Sequence, residues 1–213
     1  MEEWNAYIEF RDRMFFPLLE KDRYIEIADA ADAFLVSEDN PAVRFRVISE
    51  VSVFLDESGP VDVAFRWAER LCDEFPDYPF AWCRMGAWFC APYRATPENY
   101  RVAGGHYETA LRHARAADEW VRYVLFDLCR CLAKAEDWER LETRMREIIA
   151  DLQTKRALDS AVLEDDWSMP TGDGTLEPAL VARYRGLAAA DRERRDRVGS
   201  KAGPATLDEL EPK

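Results

Sequence analysis

Basic residues are in short supply in this chain. Twenty-nine Lys and Arg face 42 Asp and Glu, which leaves a formal charge of -13 and a pI near 4.7. Affinity for nucleic acid and for anionic membrane rests largely on Lys and Arg neutralising phosphate, so the balance argues against both as partners. The surplus acid is read as solvated surface or as the complement of a basic protein. Histidine is scarcer still. His106 and His113 are the only two; seven residues apart on a helix, they lie about 10 Å apart along the axis, too far to share one metal ion. The five cysteines, Cys72, Cys83, Cys90, Cys129 and Cys131, are odd in number, form no CxxC, and each falls inside an apolar helical pattern. That usage excludes a disulfide framework or zinc ribbon and predicts reduced thiols acting as small core residues.

Other absences narrow the function further. No apolar run approaches the ~20 residues that span a bilayer. Met1-Glu2-Glu3-Trp4 lacks the basic-then-apolar order of a secretory leader, so a cytoplasmic protein is expected. Gly104-Gly105 is not followed by Lys-Ser/Thr, which removes a phosphate-cradling loop and predicts a helix break. Adjacent acids such as Asp73-Glu74 and Asp165-Asp166 carry little information in so acidic a chain. No metal, cofactor or catalytic residue is expected on these grounds.

What the sequence does contain is one pattern repeated along nearly its whole length: apolar residues three and four apart, broken by short polar turns. Tyr24, Ile27, Ala28, Ala31, Phe34 and Leu35 form one stripe. Val43, Val47, Ile48, Val51, Phe54 and Leu55 form the next, followed by Ala64, Ala68, Leu71, Cys72 and Phe75. Later come Val121, Val124, Leu125, Leu128 and Leu132, then Trp138, Leu141, Met145, Ile148 and Ile149, and finally Leu180, Val181, Tyr184, Leu187 and Ala188. No segment alternates at period two, so no strand is predicted. Asn40 before Pro41, Thr96 before Pro97, Asp118 before Glu119 and Thr175 before Leu176 are read as helix caps, and Gly59-Pro60 as the tight link of a helical hairpin. Pro17 interrupts the first stripe and predicts a distorted first hairpin. The seven tryptophans are assigned mostly to the core, with Trp167 the exception.

Trp82, Met85, Gly86 and Phe89, with Gly59, Val61, Ala64, Ala68, Leu71 and Pro76 before them, resemble the tetratricopeptide-repeat family, whose unit is a helical hairpin of about 34 residues. Gly105, Tyr107, Ala110, Ala114 and Ala117 repeat the turn and second helix, as do Trp138, Leu141, Met145 and Ile148. Tyr24, Ile27, Ala31 and Phe34 give a further instance. Taking Ile27, Ala64, Ala110 and Leu141 as equivalent markers, the spacings are 37, 46 and 31 residues. The resemblance is therefore to a degenerate member, and the long middle spacing reads as an insertion over Pro92 to Gly104 holding a short helix from Pro97 to Ala103.

The expected architecture is all-α: a short α-solenoid of antiparallel, TPR-like hairpins with a C-terminal capping helix. The array is placed at residues 1–156, an acidic connector at 157–175, the cap at 176–198 and a disordered tail at 199–213. The resemblance implies a protein or peptide partner held in a groove lined by the first helix of each hairpin, at Arg46, Ser49, Cys83, Arg84, Ala87, Tyr123, Phe126 and Arg130. Tyr93, Arg94, Tyr100 and Arg101 add aromatic and arginine contacts from the insertion, since both residue types dominate interfaces. Size and charge also suit an inhibitor or immunity protein for a basic toxin. The rival expectation is an enzyme or small-ligand protein using the groove of the array.

Overall fold

A computed structural model describes residues 4–153 and 176–198 of the chain. The proposed connector, with Trp167 and the Thr175 cap, and the proposed tail at 199–213 lie outside the described residues. Every regular element among those described is a helix. The first, α1, covers residues 5–19 as Asn5–Phe10, a π turn over Arg11–Phe15, and Phe16–Leu19. It is followed by α2 (Tyr24–Val36), α3 (Pro41–Ser58), α4 (Val61–Glu74) and α5 (Pro79–Cys90). Then come α6 (Pro97–Ala117), α7 (Val121–Lys134), α8 (Trp138–Gln153) and α9 (Pro178–Val198). The chain divides into two compact units, Met1–Ala91 and Pro92–Lys213.

The helix ends have local causes. Asn40 Oδ1 accepts from the backbone N–H of Ala42 at 2.9 Å, and Pro41 supplies a first helical residue whose missing N–H costs nothing there. Thr96 Oγ1 accepts from Asn99 N at 3.1 Å and starts α6 in the same way. Gly59 ends α3 with its N–H on Leu55 O at 2.7 Å, and Pro60 opens α4 directly. A Cβ built on Gly59 comes within 2.8 Å of Leu55 O, so the tightness of this link excludes a side chain.

In the first unit the predicted stripes meet. Ile27, Ala31 and Leu35 of α2, Val43, Val47, Ile48, Val51 and Leu55 of α3, and Ala64, Ala68 and Leu71 of α4 are buried together. Phe10 stacks on Phe34, Phe15 lies edge-on to Phe54, and Phe45 sits among Phe75, Tyr78 and Phe80, filling the spaces between helices. The π turn in α1 falls just before Pro17, whose ring cannot accept a regular α turn behind it, and this is the distortion expected of the first stripe. In the second unit α7 carries Val124, Leu125, Leu128, Cys129 and Leu132 into the core. Leu141, Met145, Ile148 and Ile149 of α8 and Leu180, Tyr184 and Leu187 of α9 are likewise buried.

Helices two apart in the sequence are joined by ion pairs whose offsets range from 28 to 38 residues. Arg70 of α4 reaches Asp32 of α2, 38 residues back. Arg140 and Arg115 connect α8 and α6 across 32 residues, through Glu108 and Glu147. The marker spacings in the sequence for these same pairs of helices, 37 and 31, fall one residue from these offsets.

Three expectations fail locally. Gly104-Gly105 does not break a helix; both lie inside α6, which runs 21 residues, so the extra length at 92–104 is mostly helix and only the residues before Pro97 form a loop. Thr96, Pro97 and Glu98 give α6 a strong start. Gly104 is buried where α6 approaches Leu128 and Leu132 of α7, and these gains outweigh the low helix propensity of two glycines. Asp118 is not an N-cap: with φ 54° it ends α6 in the left-handed region, and Trp120, φ 62°, begins α7. The core assignment of the tryptophans holds for Trp67, which is buried, and for Trp82 and Trp88, which pack against the core, and fails at Trp4 and Trp120, which are exposed.

Candidate interaction surface

Along α1 runs a strip of large side chains that the core leaves uncovered. Trp4, Ile8 and Phe16 are 43%, 43% and 42% exposed. Trp4 meets Tyr7 edge-on, with ring centroids 5.8 Å apart. The Arg11 guanidinium lies over the Tyr7 ring at 5.9 Å and over the Phe16 ring at 5.4 Å, linking the strip through a cation between two aromatic faces. The π turn makes this alignment possible. On an unbroken α-helix Phe16 would stand about 120° around the axis from Trp4, whereas a π turn accommodates one more residue per turn and brings Phe16 back beside Arg11.

The strip continues onto α3. The Tyr7 hydroxyl donates to Glu50 Oε2 at 2.7 Å and accepts from Arg46 Nε at 3.3 Å, and Arg46 closes the triangle on Glu50 at 2.6 Å. Burial pushes the Tyr7 pKa up, and Glu50 adds to the shift against the opposing pull of Arg46. The hydroxyl therefore stays protonated and keeps donating. Charges on the strip cancel locally: Arg11 pairs with Asp12, Arg13 with Glu9, Arg46 with Glu50.

The residues singled out in the sequence are distributed as follows. Arg46 is half exposed and belongs to the strip. Arg84 is 17% exposed, tied to Asp56 at 3.1 Å and to the Ser52 carbonyl, so it braces α5 on α3 instead of facing a ligand. Ser49 and Cys83 are buried. Phe126 is 1% exposed, and its assignment to a groove is corrected: α7 is buried on most of its circumference, Arg122 and Asp127 included, and this position lies in the core. Tyr123 is exposed at the start of α7, its ring edge-on to Trp120 at 5.7 Å. Arg130 is held by Asp127, three residues earlier on α7. Tyr93 is exposed, and Arg94 stacks on its ring at 4.3 Å with a hydrogen bond to its hydroxyl of 2.6 Å. Tyr100 and Arg101 stand in the first turns of α6, the latter paired with Glu98 at 2.9 Å. Arg46 lies in the first unit and Tyr93, Arg94, Tyr100, Arg101, Tyr123 and Arg130 lie in the second.

A separate cleft of about 260 Å³ lies between α2 and α4, over Ala28, Val63 and Trp67. Asp29 and Asp32 stand on one wall, and Arg66 and Arg70 on the other. Arg70 lies over the Trp67 ring at 5.1 Å and is bound to Asp32 and Glu74. Asp29 and Arg66 make no ion pair among the described residues. In the second unit the seam between α6 and α8 is bridged by ion pairs. There Glu108 takes both Arg140 and Arg144, and Glu147 takes Arg115 and Arg144.

The four cysteines 72, 83, 129 and 131 are buried and reduced. Burial pushes the Cys72 and Cys83 thiols up to about 12, which removes them as thiolate nucleophiles at neutral pH. Among the described residues no three His, Cys, Asp or Glu side chains gather as a metal site would require, and no helix is long and apolar enough to cross a membrane. Comparison with protein-family models, with curated proteins and with solved structures finds no match.

The strip on α1 was missed in the sequence because Phe16 is out of α-helical phase with Trp4 and Ile8. The one available signal was Pro17, which announced a disturbance without giving its direction.

Proposed function

We propose that this chain is a protein-interaction module built from degenerate, TPR-like helical hairpins, and that it takes a protein partner on the aromatic and arginine strip of α1 and α3. The repeat reading is supported by the near-agreement of sequence spacing with one ion-pair offset in each unit, Arg70–Asp32 and Arg140–Glu108. The interaction reading is carried by one observation: Trp4, Ile8, Arg11 and Phe16 are brought into line by the π turn and left uncovered. Aromatic and arginine side chains contribute disproportionately to protein interfaces, because each offers large contact area with directed polar atoms.

The test is capture from a lysate on the immobilised chain, with proteins identified by mass spectrometry, run beside a Trp4→Ala/Phe16→Ala variant whose helicity is checked by circular dichroism. A specific, stoichiometric protein lost on the variant supports the reading. A partner retained undiminished moves the surface to Tyr93, Arg94 and Trp120 in the second unit. A second reading, small-ligand binding, is favoured by the α2–α4 cleft, whose Asp29 and Arg66 are left for a ligand where the corresponding seam elsewhere is zipped.

A further inference from the structure

The surface just described does not fit every partner equally, and its charge selects among them. Two molecules that each carry -13 repel one another wherever acid faces acid. They can approach closely only through a face that is locally neutral. The strip is such a face. Its four bases and acids on α1, Arg11, Arg13, Glu9 and Asp12, cancel, and Arg46 and Glu50 beside them cancel again. A basic partner would gain little here and more elsewhere on the acidic surface. A neutral strip bearing Trp4, Ile8 and Phe16 gains most from another strip like itself.

The order of residues also suits pairing about a two-fold axis. Run antiparallel to a copy, α1 sets Trp4 near the far end of its counterpart, where the copy's own Phe16 stands, with an arginine from each chain near the centre. Each Arg11 already bridges two aromatic faces and is neutralised by Asp12 beside it. Isologous contacts of this sort are the commonest in soluble oligomers. The strip is about 20 Å long on a 15-residue helix, small for an interface, so a weak and reversible dimer is expected.

We propose that the α1 strip is a self-association surface and that its partner is a second copy of this chain. The proposal rests on the interaction reading above and names the occupant of that same site. Its signature is an unusual salt dependence. An apolar contact between two polyanions tightens as salt screens their repulsion, whereas attraction to a basic partner weakens.

Sedimentation equilibrium of the full chain, at about 20 mM and about 500 mM NaCl, tests it directly, because the screening length shrinks severalfold across that range. The expected result is a monomer–dimer equilibrium whose Kd falls on the order of tenfold at the higher salt. Ile8→Glu, which adds a charge at an exposed site, should leave circular dichroism unchanged and the chain monomeric at both salts. Val36→Glu, at an exposed apolar residue on α2, should dimerise as the wild type does. A wild-type chain that stays monomeric at hundreds of micromolar overturns the proposal. So does a dimer indifferent to Ile8→Glu, one lost equally in Val36→Glu, or one that loosens with salt. Failure here leaves the lysate capture on Trp4→Ala/Phe16→Ala standing by itself, so the two readings fall separately.

Discussion

At the scale of single residues, the glycines separate what geometry demands from what it tolerates. Gly59 has no room for a methyl group beside the Leu55 carbonyl. Gly59→Ala should therefore cost about 1–3 kcal/mol, as overpacking does, and lower the melting temperature. Gly105 sits mid-helix with nothing within 4 Å of a built Cβ. Gly105→Ala should stabilise by about 0.5–1 kcal/mol, the difference in helix propensity, and thermal denaturation of the two variants should move in opposite directions. The sequence showed both as helix punctuation, and only at Gly59 was that correct. The difference lies in a backbone approach three-dimensional in origin, which no residue pattern records. Phe126 teaches the same lesson in reverse: on a helix that neighbours cover almost all round, polar Arg122 and Asp127 included, periodicity cannot separate the buried face from the displayed one.

At the scale of elements, the joints between helices are mostly arginine. Arg44 binds Glu74 at 2.7 Å and the carbonyls of Leu35 and Glu38, fastening α3 to the end of α2 and to α4, while Arg70 binds the other Glu74 oxygen. Burial raises the Glu74 pKa, but the hydrogen bonds from Arg70 and Arg44 outweigh it and hold the carboxyl below its ordinary value. A carboxylate depressed in the folded state contributes stability above its unfolded pKa of about 4.3 and loses it as pH falls through the folded value. The melting-temperature gap between wild type and Glu74→Gln should therefore be wide at pH 7 and close below about pH 4. Stripes made α2, α3, α4, α7 and α8 readable in advance, because each buries one side against two neighbours. The extent of α6 was not readable, since its two glycines weigh against helix until Leu128 and Leu132 supply the packing that pays for them.

At the scale of the whole molecule, each unit is a succession of helices held chiefly by their nearest neighbours. In such a construction damage stays local. Tyr184, 1% exposed on α9, is a suitable probe. Tyr184→Ala should remove about 3 kcal/mol or more of local stability. Hydrogen exchange should then quicken in α9 and the adjoining face of α8 while the α6–α7 pair keeps its protection. Uniform loss across all four helices would mean the second unit melts as one. The all-helical packing of neighbour on neighbour was legible at this scale because the burial of a stripe is written into spacing. The surface was not, because exposure of Trp4, Ile8 and Phe16 depends on which neighbours are present to cover them.

The π turn in α1 has a consequence for how the chain tolerates change in length. It holds one residue more than a regular helix of the same span, so it is the place where a deletion is most easily healed: removal of Arg13 or Met14, both exposed, lets the segment relax into ordinary α geometry. The repair would leave the turns on either side in register, because eleven residues of regular helix from Trp4 to Phe16 bring the two within about 20° of one line. Trp4 and Ile8 would keep their line with Phe16, and Tyr7 its hydrogen bond to Glu50 of α3. A one-residue deletion there should thus keep both the helix and the strip, whereas the same deletion in the regular turns of Asn5–Phe10 should rotate Trp4 by about 100° away from Phe16.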